Sequence, residues 1–304
     1  MLFNPEQIYY HMIKVLAKVL GFISLKQARN ISLFIGNLLF VVDKKHQKII
    51  VNNLTLAFGS KKNNHEIRKL GKKVFAHMVM VVFEIAWSLS LSKEALFKHF
   101  KIKGYSNIKN AFEKGKGVLV LTAHFGNWEL LTVTAAMIRY PLNIVVRPLD
   151  FMPFDRFIYN LRTRFGGKII PRQKSFRSIL RSLDRGEMVA MLMDQNVDWY
   201  EGVFVDFFGS RACTNKGLAL LALKTGAPVV SVFMVREKQG FTAVFGPEIP
   251  FINTGDKTRD VEDNTGQYNR VIEEFVRRYP EQWFWLHQRW KTRPYCSLPK
   301  ESEK

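Results

Sequence analysis

Apolar residues along this chain fall into two textures. Up to about residue 92 they come in long runs of helical period: residues 12–25 read MIKVLAKVLGFISL, residues 31–42 read ISLFIGNLLFVV, and residues 74–92 read VFAHMVMVVFEIAWSLSLS. The last run is apolar almost all round, with Glu84 as its lone acid, which predicts a helix over 65–92 buried in a core. A spanning helix wants roughly 20 apolar residues in succession. Lys14 and Lys18 interrupt the first run and Asp43 ends the second, so neither predicts a transmembrane span. No small-residue cleavage site follows promptly, so the segment is expected to be retained rather than removed as a signal peptide.

From Gly117 the texture changes to short β-branched runs, apolar on both faces: GVLVLTAH at 117–124, NIVVR at 143–147, MVAMLMD at 188–194 and PVVSVFMV at 228–235. Such runs suit the interior of a parallel or mixed sheet. Helical patterns separate them at 128–138, 154–165, 176–183 and 216–225, the last closed by Gly226 as a C-cap. FTAVFG at 241–246 predicts a strand antiparallel to its predecessor, and a helix is expected at about 261–279. The whole reads as an α/β fold, a mixed but largely parallel sheet flanked by helices, preceded by an N-terminal helical, membrane-associating segment. The expected organisation is that segment over 1–60 and an α/β domain over 61–304.

Composition sharpens this picture. With 304 residues, 47% of them hydrophobic, the chain is no disordered tail. It carries 46 Lys and Arg against 26 Asp and Glu, a formal net charge of +20 that predicts attraction to something polyanionic. The excess is concentrated before Gly117, among the apolar runs. Helices of that kind lie in the lipid headgroup plane with lysines on anionic phosphates, or form core helices with snorkelling lysines. A nucleic-acid partner is not expected, because zinc-finger spacing, an RNP motif and a basic arm with interleaved aromatics are all missing from the sequence. Two cysteines, Cys213 and Cys296, exclude a disulfide framework and a multi-cysteine metal site, which fits a reducing compartment.

The strand over 117–123 runs directly into His124, and Glu129 follows five positions later. Chance supplies about one such pair in a chain with this many histidines and acids, so the context discriminates. A strand end, a small turn at Gly126 and Asn127 and then a helix would hold both side chains at a ligand-facing edge. A neutral imidazole can take a proton from an alcohol while a carboxylate on its other nitrogen fixes the tautomer. Such a pair needs no protein nucleophile if the substrate's own hydroxyl attacks. A metal centre is not expected, because a second histidine at ligand spacing is missing.

The block AHFGNWEL resembles the signature of the bacterial lipid A late acyltransferases (lauroyl and myristoyl acyltransferases), within the glycerolipid acyltransferase superfamily with its H-x4-D/E dyad. Further blocks agree in order: Arg147 and Pro148 in VVRP, Arg162 and Arg164 in LRTRFG, Asp194 and Gln195 in MLMDQN, residues 207–209, TGAPVV at 225–230 and WFWLHQRWKTRP at 283–294. The likeness covers essentially the whole chain, including VNNLTLAFG at 51–59.

The resemblance implies an O-acyltransferase that moves a fatty acyl chain from an acyl-carrier-protein or coenzyme A thioester to a hydroxyl of a lipid A precursor, in lipopolysaccharide biosynthesis. Glu129 would polarise His124 as general base, and the thioester is a co-substrate, with no bound cofactor. A developing oxyanion needs donors, and Asn127, Arg162, Arg164 or the backbone at Gly126 are candidates. Arg147, Arg162 and Arg164 also suit phosphates on the head group, or else form surface salt bridges. Asp194 would orient one of these arginines or cap a helix. Arg289 and Lys291 would face the acidic head group, whereas the tryptophans of the closing block read as core anchors. The implied location is the cytoplasmic face of a bacterial inner membrane, peripheral or N-terminally anchored. Other acceptors would be a lysophospholipid, a phosphatidylinositol mannoside or an amino-acid lipid. A reading from another class is a non-catalytic binder of anionic lipid or nucleic acid.

Overall fold

A computed structural model describes residues 5–173 and 175–294; Cys296 lies outside them. Four helices open the described chain, α1 (Pro5–Gly21), α2 (Leu25–Val42), α3 (Lys44–Phe58) and α4 (Asn64–Leu89). Helices α2 and α4 start on capping boxes, Ser24 with Gln27 and Asn63 with Glu66, which satisfy otherwise orphaned amides of the first turn. Gly36 lets α2 lie directly on α4, since a Cβ there would sit 2.4 Å from the Ala76 amide nitrogen. The boundary expected near residue 60 falls in the turn between α3 and α4, yet helices on both sides share one core: Ile50, Leu54 and Phe58 pack with Val74 and Phe75.

The rest alternates: α5 (Lys93–Phe97), β1 (Phe100–Lys103), α6 (Tyr105–Phe112), β2 (Val118–Thr122), a 3-10 turn (Trp128–Leu130), α7 (Leu131–Ile138), β3 (Leu142–Val146), α8 (Met152–Thr163), β4 (Lys168–Pro171), α9 (Phe176–Asp184), β5 (Met188–Leu192), β6 (Gly202–Phe207), β7 (Ser210–Asn215), α10 (Gly217–Thr225), β8 (Val229–Arg236), β9 (Phe241–Ile249) and α11 (Lys257–Arg278). Seven of the described strands form one sheet in the order β1-β9-β8-β2-β5-β3-β4. Every pairing in it is parallel except that of β8 with β9. The α/β architecture, the antiparallel strand over 241–249 and the Gly226 cap in left-handed conformation match the sequence expectations. The edge strands β1 and β4 and the separate hairpin β6–β7 were not expected.

The middle of the sheet is apolar on both faces because both are covered. Along β2, Leu119 and Leu121 point into the core shared with α3, α4, α9, α10 and α11, while Val118 and Val120 point into the opposite core under α6 and α7. Central strands covered in this way leave ligands only the crevice beyond their carboxyl ends. In the N-terminal part, no single described helix is long and apolar enough to cross a membrane; α1 and α2 meet at an angle of 114° as a bent pair.

Candidate active site

Parallel pairing places the site. In the register of β2 on β5, Thr122 stands opposite Leu192. Two residues past each strand end come His124 and Asp194, level with one another at the carboxyl edge. Their side chains meet: Nδ1 of His124 lies 2.9 Å from Oδ1 of Asp194, and the His124 amide donates to Oδ2 at 3.0 Å. The Trp283 indole N–H donates to the same oxygen at 2.7 Å. The Asp194 side chain is 1% exposed and that of His124 22% exposed, so the acid is sealed beneath an imidazole that still reaches solvent.

Burial pushes the Asp194 carboxyl up, but the charge and ring hydrogen bond of His124, the Trp283 indole and the His124 amide outweigh it and hold the group below its ordinary value. An ionised Asp194 accepts from Nδ1–H, which fixes the neutral tautomer with its lone pair on Nε2, the nitrogen turned away from the acid. The rings of Trp128 and Phe284 flank the imidazole, with centroids at 5.2 and 5.8 Å.

The turn that follows is fixed from both sides. Gly126 has φ +59°, and a Cβ there would fall 1.6 Å from the Met234 carbonyl oxygen, so only glycine fits. Its amide donates to the Gln282 carbonyl at 2.7 Å, and the Phe284 amide donates to the His124 carbonyl at 3.0 Å. The closing block is thus tied to the turn through an isolated antiparallel bridge between Phe125 and Trp283, and continues in turns. Trp283 and Trp285 are buried core anchors, as expected, with their rings 4.6 Å apart.

The structure corrects several assignments. Glu129 does not stand behind His124: its carboxylate receives both Nε and Nη2 of Arg162 at 2.7 Å and the Trp128 indole N–H at 3.0 Å. The physical reason is the 3-10 turn at Trp128–Leu130, which swings the side chain towards α8. Asp194 orients the imidazole rather than an arginine or a helix terminus. Asn127 is no donor to the crevice, because its amide group donates to the Val81 carbonyl and to Glu84 Oε2. Arg164 is spent on the end of α4, donating to the carbonyls of Ser88 and Leu91. Arg147 is a surface arginine, 68% exposed and 3.3 Å from Asp150. Arg289 faces no head group: it is fully buried under Phe207 and donates to the Cys213 carbonyl at 2.8 Å and to the Thr214 hydroxyl. That burial pulls its guanidinium down to about 10. Gln195 is half-buried beside Asp194, and Lys291 is exposed.

Sequence reasoning passed over other parts of the site. His287 accepts the Asn196 amide at Nε2, 2.7 Å away, and burial is the chief cause of its pKa falling to about 4. Thr292 clasps the Asn196 side chain, and Asn53 of α3 donates to the Trp285 and His287 carbonyls. On the far side of the turn Glu84 pairs through both oxygens with Arg236, which also contacts His77. The lone acid of the buried helix was a signal, since a buried carboxylate demands a partner.

Comparison with known proteins shows the family of the chain. The chain is 28% identical over 254 residues to the lipid A biosynthesis palmitoleoyltransferase of Escherichia coli (strain K12), covering 83% of this chain and 80% of that protein. It is 28% identical over 264 residues to the lipid A biosynthesis lauroyltransferase of the same organism, covering 86% and 84%. A more distant likeness, 24% over 185 residues and 60% and 59% of the two chains, is to a phosphatidylinositol mannoside acyltransferase of Mycolicibacterium smegmatis (strain ATCC 700084 / mc(2)155). The model of the family described as bacterial lipid A biosynthesis acyltransferase matches residues 4–292, which hold both strand ends of the crevice and all but the last two residues of the closing block, so the chain belongs to that family.

Proposed function

We propose that this protein transfers a fatty acyl chain from a thioester, carried by acyl carrier protein or coenzyme A, to a hydroxyl of a lipid A precursor. The observation that carries the reading is the pairing of a partly exposed His124 with a sealed Asp194 at the carboxyl edge of the sheet. Nε2 of His124 removes the proton of the acceptor hydroxyl as its oxygen attacks the thioester carbonyl. Asp194 stabilises the imidazolium that forms. Collapse of the tetrahedral intermediate breaks the C–S bond, and the imidazolium returns its proton to the departing thiolate, leaving an ester and a free thiol. Glu129 serves through Arg162: it holds Nε and Nη2, so that the guanidinium is presented beside the turn with Nη1 outside the pair.

The reaction belongs at the cytoplasmic face of the inner membrane. α1 and α2 attach the protein to anionic lipid through exposed apolar side chains, among them Met12, Val15, Leu16, Val19, Phe22 and Phe34. The test is incubation of the purified protein with acyl thioester and lipid A precursor in mixed micelles, with the product identified by mass. Acyl carrier protein and coenzyme A thioesters are supplied in separate reactions. His124→Ala should lower the rate by about 10²- to 10⁴-fold; a wild-type rate in that variant would refute the mechanism. The likeness to a phosphatidylinositol mannoside acyltransferase favours a second reading, acylation of a different glycolipid, and the mass of the product separates the two.

A further inference from the structure

The segment between β3 and α8 leaves the carboxyl edge of the sheet, the edge that carries His124. It reads RPLDFMPF over 147–154. Its underside is tied to the site: Leu149 packs in one cluster with Trp128, whose ring lies against His124, and its amide donates to Asp155 at 2.8 Å. Its upper side is apolar and open, with Phe151 50% and Met152 57% exposed and Phe154 exposed beside them. Surface aromatics and methionines are normal one at a time; three within four positions are not.

This patch does not stand alone. The Phe151 ring meets the Tyr9 ring edge-on at 5.8 Å, which joins it to α1. Further along, the Arg156 guanidinium lies 4.5 Å over the Tyr10 ring, and the Tyr10 hydroxyl meets the Asn160 side chain at 2.8 Å. Helices α1 and α8 therefore pack against each other. Ile8, Tyr9 and Met12, all exposed, continue the apolar surface from α1 to the site. Charged groups border it: Arg147, 3.3 Å from the exposed Asp150, before the patch, and Arg156 after it and Lys14 on α1, both over the Tyr10 ring. Apolar tips framed by arginine and lysine match an anionic bilayer, with side chains among the acyl chains and cations at the phosphates.

We propose that residues 151–154 form a second membrane-inserting element, which seats the mouth of the site on an anionic bilayer. α1 attaches the protein; this loop sets its tilt, so that a lipid hydroxyl rises from the headgroup plane directly into the crevice at His124. The inference rests on the membrane attachment proposed above and adds a contact beside the reacting centre.

The full-length protein is tested on vesicles of phosphatidylcholine containing about one-third phosphatidylglycerol, an anionic share large enough to engage surface basic residues. An environment-sensitive fluorophore is placed on Phe151→Cys in a Cys296→Ser background, where the remaining cysteine, Cys213, is buried. The expected result is a blue shift on vesicle binding and quenching by lipids brominated in the acyl chain. Phe151→Ser/Met152→Ser should weaken vesicle binding by about ten- to thirtyfold, as expected for removing two partly buried apolar side chains. The same variant should lose kcat/KM on acceptor embedded in vesicles while keeping the wild-type rate on acceptor dispersed in detergent. If the wild-type protein binds vesicles but the label at 151 stays in water, the inserting loop is refuted and attachment through α1 stands. If Met12→Ser/Leu16→Ser and the wild type alike fail to bind, the membrane reading falls and takes this inference with it.

Discussion

The two flanks of the turn over 124–129 use the same chemistry, a carboxylate against a cationic or ionisable partner, to different ends. On the sheet side, Asp194 is sealed but its partner His124 reaches solvent, so the pair can exchange a proton with a bound molecule. On the helix side, Glu84 and Arg236 are both withdrawn, the one 1% and the other 12% exposed, and they are saturated by each other, by Asn127 and by His77. Glu129 with Arg162 stands between these extremes, paired through two bonds yet near the surface. The difference teaches that nearness to the histidine in sequence and a bond to its ring are separate properties. The acid five residues from His124 is bonded to Arg162, and the acid seventy residues away is the one bonded to the ring.

Substituting one member on each flank breaks the comparison most sharply. Asp194→Asn should cost about 10²- to 10⁴-fold in kcat/KM, since an amide can hold the ring in the wrong tautomer and cannot stabilise the imidazolium. Glu84→Gln should instead unfold the protein more easily, by about 3–5 kcal/mol, through the uncompensated Arg236 it leaves behind. Denaturant titration reads that loss, and the activity of the molecules still folded should be unaltered.

A smaller effect tests the intermediate pair. Glu129→Gln should lower turnover by about ten- to a hundredfold by loosening Arg162, an effect the size of a lost charge-assisted hydrogen bond. A loss in Glu129→Gln larger than that in Asp194→Asn would reassign the ring's partner. An effect on stability rather than on turnover concerns His287, whose folded-state pKa of about 4 lies below its ordinary value of 6.5. The unfolded chain therefore binds more protons between these values, and stability is lost as pH falls through that window. Urea titrations from pH 7 to pH 4 should show a loss of about 3 kcal/mol from this group, absent in His287→Gln. His77, also held below its ordinary value by burial and by Arg236, adds a loss of the same sign that the variant keeps.

The central strands were legible because they are covered on both faces, so composition alone marks residues 118–122, 188–192 and 229–236. The edge strands were not: β1 and β4 are four residues each, half exposed, and alternate no more clearly than a loop. The hairpin β6–β7 turns at Phe208, a non-glycine with φ +58°, and pairs outside the main sheet, although Phe207, Phe208 and Ala212 join the main core. His124 and its strand-end position were readable from GVLVLTAH. The Asp194 contact was not, because it depends on β2 and β5 being neighbours in parallel register, a fact of pairing rather than of either segment. MLMD nonetheless carries the same signal as VLTAH, a polar group two positions beyond a buried strand. The arginines misled for a physical reason: guanidinium groups cap carbonyls and fill cores as well as they bind phosphate, and only burial tells these uses apart.

Trp283 donates to Asp194 across a gap of 89 residues, and the Gln282 carbonyl receives the Gly126 amide. Strands β2 and β5, which lead to the imidazole and to its carboxylate, both precede in the chain the indole that finishes the hydrogen-bond shell around that carboxylate. The shell is therefore complete only once a much later stretch of the message has been translated and laid alongside the turn.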